Sequence, residues 1–213
     1  MSNKKGLFIV FEGIDGAGKK TLSKFTKDFL KSKNISVTEF EYPDYGGIWG
    51  KIINRYLHNE IELSIVEEFF LYLTDILKDQ DKIEKSLKDG FFVISDRYLS
   101  STVAFQCAKG FSYNRAKSIV DTMDVSIPNL TIFLQIPPEL AAERKYNDRD
   151  TLDRHEKDVD LLKNVDSMYY KIFGENLLSE KWIEIDGSND LKTVKSDIKK
   201  VIMELLETAT APD

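Results

Sequence analysis

Residues Leu7 to Leu22 read LFIVFEGIDGAGKKTL, and this stretch decides the fold. Leu7-Phe8-Ile9-Val10-Phe11 is an apolar run with no polar alternation. Such a run suits a strand buried on both faces of a parallel sheet. Gly13, Gly16 and Gly18 follow as a glycine-rich turn, and Lys19 to Lys31 then carries Leu22, Phe25, Phe29 and Leu30 at helical spacing. Strand, glycine loop and helix is the context that a phosphate-binding loop requires. Glycines let backbone N–H groups converge on a phosphate without Cβ clashes. The helix N-terminus adds positive dipole character, and a lysine can reach the outer phosphates. Gly13, Gly18 and Lys19 occupy the fixed positions of G-x-x-x-x-G-K-[ST], so Gly13, Ile14, Asp15, Gly16, Ala17, Gly18, Lys19, Lys20 and Thr21 are the expected ATP-binding residues. One position departs from the pattern. The residue after Lys19, whose hydroxyl would hold magnesium, is Lys20, and Thr21 comes one place late.

The rest of the chain extends this unit. Further strands are predicted over Ser36 to Tyr42, Phe91 to Ser95, Leu130 to Ile136 and Lys181 to Ile185. Helices are predicted over Ile48 to Leu57, Leu63 to Leu77, Lys78 to Lys88, Leu99 to Lys109 and Tyr113 to Met123. Three more are a short one over Leu140 to Arg144, a long one over Glu156 to Leu177 and a final one over Leu191 to Leu206, with a frayed tail from Thr208. Lys145 to Arg154 reads as a charged loop. Strands alternating with helices imply an α/β protein: a five-stranded parallel sheet with helices on both faces. Ligands of such sheets sit beyond the C-terminal ends of the strands. The loops after Phe11, Tyr42, Ser95, Ile136 and Ile185 are therefore expected around one crevice.

Composition narrows the function. At 213 residues the chain suits a single domain, and a net charge of −6 argues against general nucleic-acid binding. Cys107 is the only cysteine, which leaves no intrachain disulfide and no cysteine-based zinc cluster. No apolar run approaches the ~20 residues of a membrane span, and the N-terminal apolar run is too short for a signal peptide. A cytoplasmic protein is expected. Asp96-Arg97-Tyr98 follows the third apolar run directly. A carboxylate at a strand end beside a phosphate loop can hold magnesium, and the next arginine can clamp a phosphoryl group.

These residues carry a resemblance. The chain is similar to the thymidylate kinases, a family of phosphate-loop nucleoside monophosphate kinases. The likeness lies in Phe11-Glu12-Gly13-Ile14-Asp15-Gly16-Ala17-Gly18-Lys19, then Asp96-Arg97-Tyr98 with Ser101, Ala104, Phe105 and Gln106. It continues through Pro128-Asn129-Leu130-Thr131, Pro138-Glu139 with Ala142 and Arg144, and Asp153-Arg154 with Glu156. The resemblance implies transfer of the γ-phosphoryl of ATP to dTMP with Mg2+, in a homodimer, with a mobile lid at about 144–156 inside a single domain spanning 1–213. It implies catalytic roles for Lys19, Arg97, Arg149 and Asp96, the last as metal ligand. It also implies that Asp15 meets the sugar 3′-hydroxyl, that Ser101 and Gln106 hydrogen-bond thymine, and that Tyr72 stacks on the base. Tyr42 precedes the acceptor-phosphate turn. Gly16 stands where one branch of the family has an arginine, so a lid arginine is expected to supply that charge. Departures are visible: Tyr45 and Ile76 stand where the family has acceptor-site arginines, Lys20 where it has a hydroxyl, and Cys107 where it usually has a glycine. They leave room for a kinase of another deoxynucleoside monophosphate or deoxynucleoside, or for a nucleotide-binding regulatory protein. His155, beside Arg154, is expected to be solvated.

Overall fold

The computed structural model describes residues 6–148, 153–155 and 158–210. Five strands form one sheet: β1 (Phe8–Glu12), β2 (Val37–Glu41), β3 (Phe92–Asp96), β4 (Leu130–Gln135) and β5 (Trp182–Asp186). Every pairing is parallel and the order is β2-β3-β1-β4-β5. β1 is central, with Phe11 opposite both Asp96 of β3 and Ile132 of β4. β1 and β3 are buried along their whole length, as their apolar composition requires. β2 is different. Its sequence VTEFE alternates, and it lies at the edge with Glu39 and Glu41 in solvent. Charged side chains on an edge strand discourage pairing with other chains.

Nine helices are described: α1 (Lys19–Ser32), α2 (Ile48–Leu57), α3 (Ile65–Leu77), α4 (Gln80–Lys88), α5 (Leu99–Ala108), α6 (Tyr113–Asp121), α7 (Pro138–Asp148), α8 (Val159–Gly174) and α9 (Leu191–Thr210). From β1 the chain crosses leftward to β2 through α1, while every later crossover runs rightward. Right-handed crossovers therefore put α1 and the later crossover helices on opposite faces. α9 packs with α1, and α5 packs with α8, α3 and α6.

Several boundaries differ from the sequence expectation. α7 runs on to Asp148, so the expected loop and lid begin inside a helix. Its start at Pro138 is where proline is tolerated, since the first-turn N–H has no intrahelical partner. α8 begins at Val159, not Glu156, because the Asp158 side chain caps it by accepting from Leu161 N at 2.8 Å. It ends at Gly174, and Asn176 and Leu178 beyond it take left-handed conformations. α3 starts at Ile65 behind a capping box of Ser64 and Glu67. α9 continues past Leu206 to Thr210, where a frayed tail was expected. Among the described residues, no helix is long and apolar enough to cross a membrane.

Candidate active site

The glycine loop turns between β1 and α1 and carries the first set of site residues. Gly13 has φ +141, and a Cβ there would lie 2.5 Å from the Leu134 carbonyl oxygen. Gly16 has φ +85, and its Cβ would meet the Ala141 carbonyl at 2.4 Å. No side chain fits at either point, so α7 leaves no space for an arginine at position 16. Gly18, also left-handed, sets the first turn of α1. Lys19 folds back over the loop and donates from Nζ to the Ile14 carbonyl at 2.8 Å. Burial, then the Arg97 guanidinium, pull its ammonium down to about 8, against Asp15 and Asp96.

Arg97 joins the loop to β3 and α5. Its backbone is left-handed at φ 68, and its N–H donates to Phe11 O at 2.9 Å. The guanidinium donates to Asp15 Oδ1 at 2.6 Å, to Gly13 O at 3.0 Å and to Ser101 Oγ at 3.1 Å. Its plane also lies over the Phe105 ring, 5.0 Å from the centroid. Burial alone would raise the Asp15 carboxyl. Arg97, Lys19 and Lys145 override it and hold the group well below the ordinary carboxylate range. Asp96, at the end of β3, lines the same cavity. Burial raises its carboxyl above the ordinary value, against the pull of Lys19 and Arg97.

Beneath this layer lies a residue that the sequence pattern does not single out. Glu12 is fully buried and accepts from Tyr98 N at 2.9 Å, Ser100 Oγ at 2.8 Å, Ser101 N at 3.2 Å, Ser101 Oγ at 2.5 Å and Tyr169 OH at 2.8 Å. This network ties β1 to α5 and α8 directly under Arg97. A glutamate ending an otherwise apolar strand was the available signal.

A cavity of about 380 Å³ opens above the loop. Asp15, Gly16, Gly18, Lys19, Lys20 and Thr21 of the glycine loop and α1 line it together with Asp96, Arg97, Leu57, Tyr72, Ile76, Ser101, Phe105 and His155. That volume suits one small ligand beside the phosphate-binding loop. The loops after β1, β2 and β3 contribute to this wall, whereas those after Ile136 and Ile185 do not. The latter two lie across the glycine loop, where Arg144 donates to Gly187 O at 3.0 Å.

The structure brings most of the expected residues together, several of them on partners within the fold. Ser101 lines the cavity, yet its hydroxyl is engaged with Glu12 and with Tyr169 OH at 2.7 Å. Tyr42 also lines it, and its buried hydroxyl donates to Asp79 Oδ2 at 3.4 Å. Tyr72 lies on the wall beside Leu57. Gln106 is completely buried, with both amide atoms unpartnered, and is absent from the cavity lining. Lys20 points to the edge of β2, where Glu41 receives its ammonium at 2.7 and 3.0 Å. His155 is buried, not solvated, and burial followed by the nearby Lys109 ammonium pushes its imidazole down to about 3. Arg149, expected in the lid, lies outside the described residues, as does Glu156. Lys78 was not foreseen: its ammonium lies 2.9 Å from Asp75 and Asp79 and 3.4 Å from Asp44, behind Ile76. Among the described residues, no group of three His, Cys, Asp or Glu side chains could hold a metal ion.

A parallel five-stranded sheet, a glycine loop with its lysine, and an Asp-Arg pair at the neighbouring strand end define a phosphate-loop protein of the nucleoside monophosphate kinase type. The family model described as thymidylate kinase matches residues 11–198. The chain therefore belongs to the thymidylate kinase family. A probable thymidylate kinase of Archaeoglobus fulgidus is 35% identical over 201 residues, covering 94% of this chain and 96% of that protein. The thymidylate kinase of Thermosipho africanus is 31% identical, covering 95% and 100%. The solved thymidylate kinase of Candida albicans shares the fold at a TM-score of 0.79 and 22% identity, covering 98% of this chain and 96% of that one.

Proposed function

We propose that this protein transfers the γ-phosphoryl group of ATP to dTMP, giving ADP and dTDP. The observation that carries the proposal is one cavity lined together by Lys19, Arg97, Tyr72 and Phe105. It supports a donor phosphate chain on the glycine loop and an acceptor nucleotide beyond it, with Arg97 at the junction. Phosphoryl transfer of this kind needs positioning and charge neutralisation, with no protein nucleophile. In the free chain Lys19 rests on the Ile14 carbonyl and Arg97 on Asp15. Each is a charged donor held in place, and phosphate oxygens are better partners for it than a carbonyl. Arg97 would bridge the two substrates' phosphates, leaving Asp15 to accept from the sugar 3′-hydroxyl. Tyr72 and Phe105 offer aromatic faces to the base, and Ser101 would give up one of its present partners, Glu12, Tyr169 or Arg97, to contact it.

The donor set also fits magnesium. Asp96 is a buried carboxylate on the cavity wall whose negative charge burial disfavours, so a cation beside it would relieve that cost. Magnesium is commonly held by one or two carboxylates together with phosphate oxygens and water. Asp96 would hold the ion, which when bound neutralises charge on the phosphates. The unit is a single domain over 1–213 with a lid at about 144–156, and it works in the cytoplasm. Ile48, Trp49, Val66 and Phe70 expose apolar surface on α2 and α3, which supports a homodimer through these helices.

ADP release measured across the nucleoside monophosphates tests the proposal. dTMP is expected to be turned over in preference to dAMP, dGMP and dCMP. Discrimination against dUMP should be weak, because one methyl contact is worth about 1–3 kcal/mol. Equal turnover of dCMP and dTMP would overturn the assignment.

A further inference from the structure

Residues 153–155 are clasped to the body twice. Arg154 N donates to Leu57 O at 3.2 Å, at the end of α2. The Arg154 guanidinium lies over the Tyr56 ring at 4.0 Å and forks onto Glu62 at 2.9 and 3.1 Å. The second clasp is interior. His155 Nε2 lies 3.1 Å from Lys109 Nζ, just beyond α5. The Lys109 ammonium also pairs with Glu68 of α3 and donates to Tyr56 OH at 3.1 Å. Tyr56 OH in turn donates to Glu68 Oε1 at 2.6 Å. The Lys109 and Glu68 side chains are 15% and 4% exposed, so the pair stands largely out of water.

Asp153 and His155 line the cavity together with Tyr72 and Phe105. Lys109 and Glu68 do not; they stand behind the wall. While Lys109 is protonated it has three donors and no acceptor, so in that state His155 Nε2 accepts and the ring proton sits on Nδ1. The contact thus fixes the histidine's place and its tautomer together. His155 also packs against the Phe105 ring, 5.9 Å between centroids, and Phe105 itself lines the cavity.

We propose that Lys109 is a positioning residue for the acceptor site: it seats His155, and with it residues 153–155, as one wall of that site. The role rests on the reading of the cavity as holding the dTMP site. Lys109 serves acceptor binding and leaves the donor site alone, because none of its partners belongs to the glycine loop.

The test must separate positioning from stability. Lys109→Met leaves the Glu68 carboxylate buried and unpaired, which destabilises. Lys109→Met combined with Glu68→Met removes both charges, and such double replacement is commonly neutral for stability. KM for dTMP, KM for ATP, kcat and Tm are measured for wild type, both variants and Lys109→Arg. The expected pattern is a lower Tm for the single variant and recovery in the double. KM for dTMP should rise about 10-fold or more in both, on the scale of a small displacement of a substrate-facing group. KM for ATP should stay within about twofold, and Lys109→Arg should keep most of the dTMP affinity. Recovery of the dTMP KM together with Tm in the double variant would show a purely structural role and overturn the proposal. Equal rises in both KM values would overturn it as well. Wild-type turnover is read first. Should another nucleoside monophosphate prove the preferred acceptor, the assignment of dTMP falls, and that acceptor takes its place in the same comparison.

Discussion

Replacing Lys19 by methionine should make the free protein more stable while it abolishes useful activity. Lys19 is 6% exposed, and its ammonium is pulled from the ordinary 10.5 to about 8. At about 1.4 kcal/mol for each pH unit of displacement, the fold works against that charge by about 3 kcal/mol. The variant also loses the bond to Ile14 O, worth about 1 kcal/mol. The Ile14 carbonyl keeps a bond from Ala17 N at 3.3 Å, so no orphan acceptor results. A net gain of about 2 kcal/mol remains, which for a chain of this size is a rise in Tm of about 4–8 °C. The pH dependence has a definite sign. Below pH 8 the lysine is charged in both folded and unfolded chains, and the penalty on the wild type is complete. Between pH 8 and 10.5 the folded chain sheds the proton and the unfolded chain keeps it, so wild-type stability climbs and the gap closes. Calorimetric scans of both proteins at pH 7, 8.5 and 10 give the comparison, and ADP release gives the activity. Turnover should fall about 10²–10³-fold, the usual cost of losing a donor aimed at developing charge. A variant less stable than wild type at pH 7, or a gap that widens with pH, would refute the reasoning.

Two further outcomes concern the departures from the family pattern. Lys20→Thr restores a hydroxyl to the first turn of α1 and releases Glu41, so less magnesium should be needed for half-maximal activity; superimposable titration curves would show position 20 to be silent. Tyr45→Arg places a cation on the cavity wall beside Pro43 and Tyr42; one added charge-assisted bond to the acceptor phosphate should lower KM for dTMP about 10-fold, and an unchanged KM would mean that the arginine is captured by Asp44 or Asp75 instead.

The parts of the fold that read well in the sequence are those fixed by local chemistry. The run Phe8 to Phe11 could only be a strand buried on both sides, and Gly13, Gly16 and Gly18 could only be a tight loop. β2 read less well because an edge strand keeps one side in water, and VTEFE obeys that geometry. The short reading of α7 came from counting charges. Lys145 faces the cavity and acts on Asp15, so it is a polar residue with work on an inner surface. The partners of Glu12, His155 and Lys109 were unreadable for a common reason. They lie 41 to 157 residues away, as in Lys109–Glu68 and Tyr169–Glu12, and no local pattern encodes such pairings. His155 looked solvated because Arg154 stands beside it, yet adjacent residues of one segment can face opposite environments. Arg154 reaches out to Glu62 while His155 turns inward.

The charges on the cavity wall explain how the missing arginines can be tolerated. The wall carries Lys19, Lys20, Arg97 and Lys145 against Asp15, Glu41, Asp75, Asp96 and Asp153. In the free chain two of these cations are held by carboxylates of the same wall, Lys20 by Glu41 and Arg97 by Asp15. The binding of a phosphate is then an exchange of one anion for another, and not the filling of a bare cationic pocket. Asp15 cannot yield by taking up a proton, because its neighbours hold it ionised far below neutral pH. It has to move aside or find a new donor, and a sugar hydroxyl on the acceptor is such a donor. Affinity therefore depends on the whole nucleotide, since the phosphate alone leaves Asp15 charged and without its partner. Inorganic phosphate and pyrophosphate should compete poorly for this site for that reason, although both present the same oxygens to Arg97. With Tyr45 and Ile76 on the wall in place of cations, and the acceptor bound as proposed, the exchange at Arg97 and Asp15 would bear a larger share of acceptor recognition.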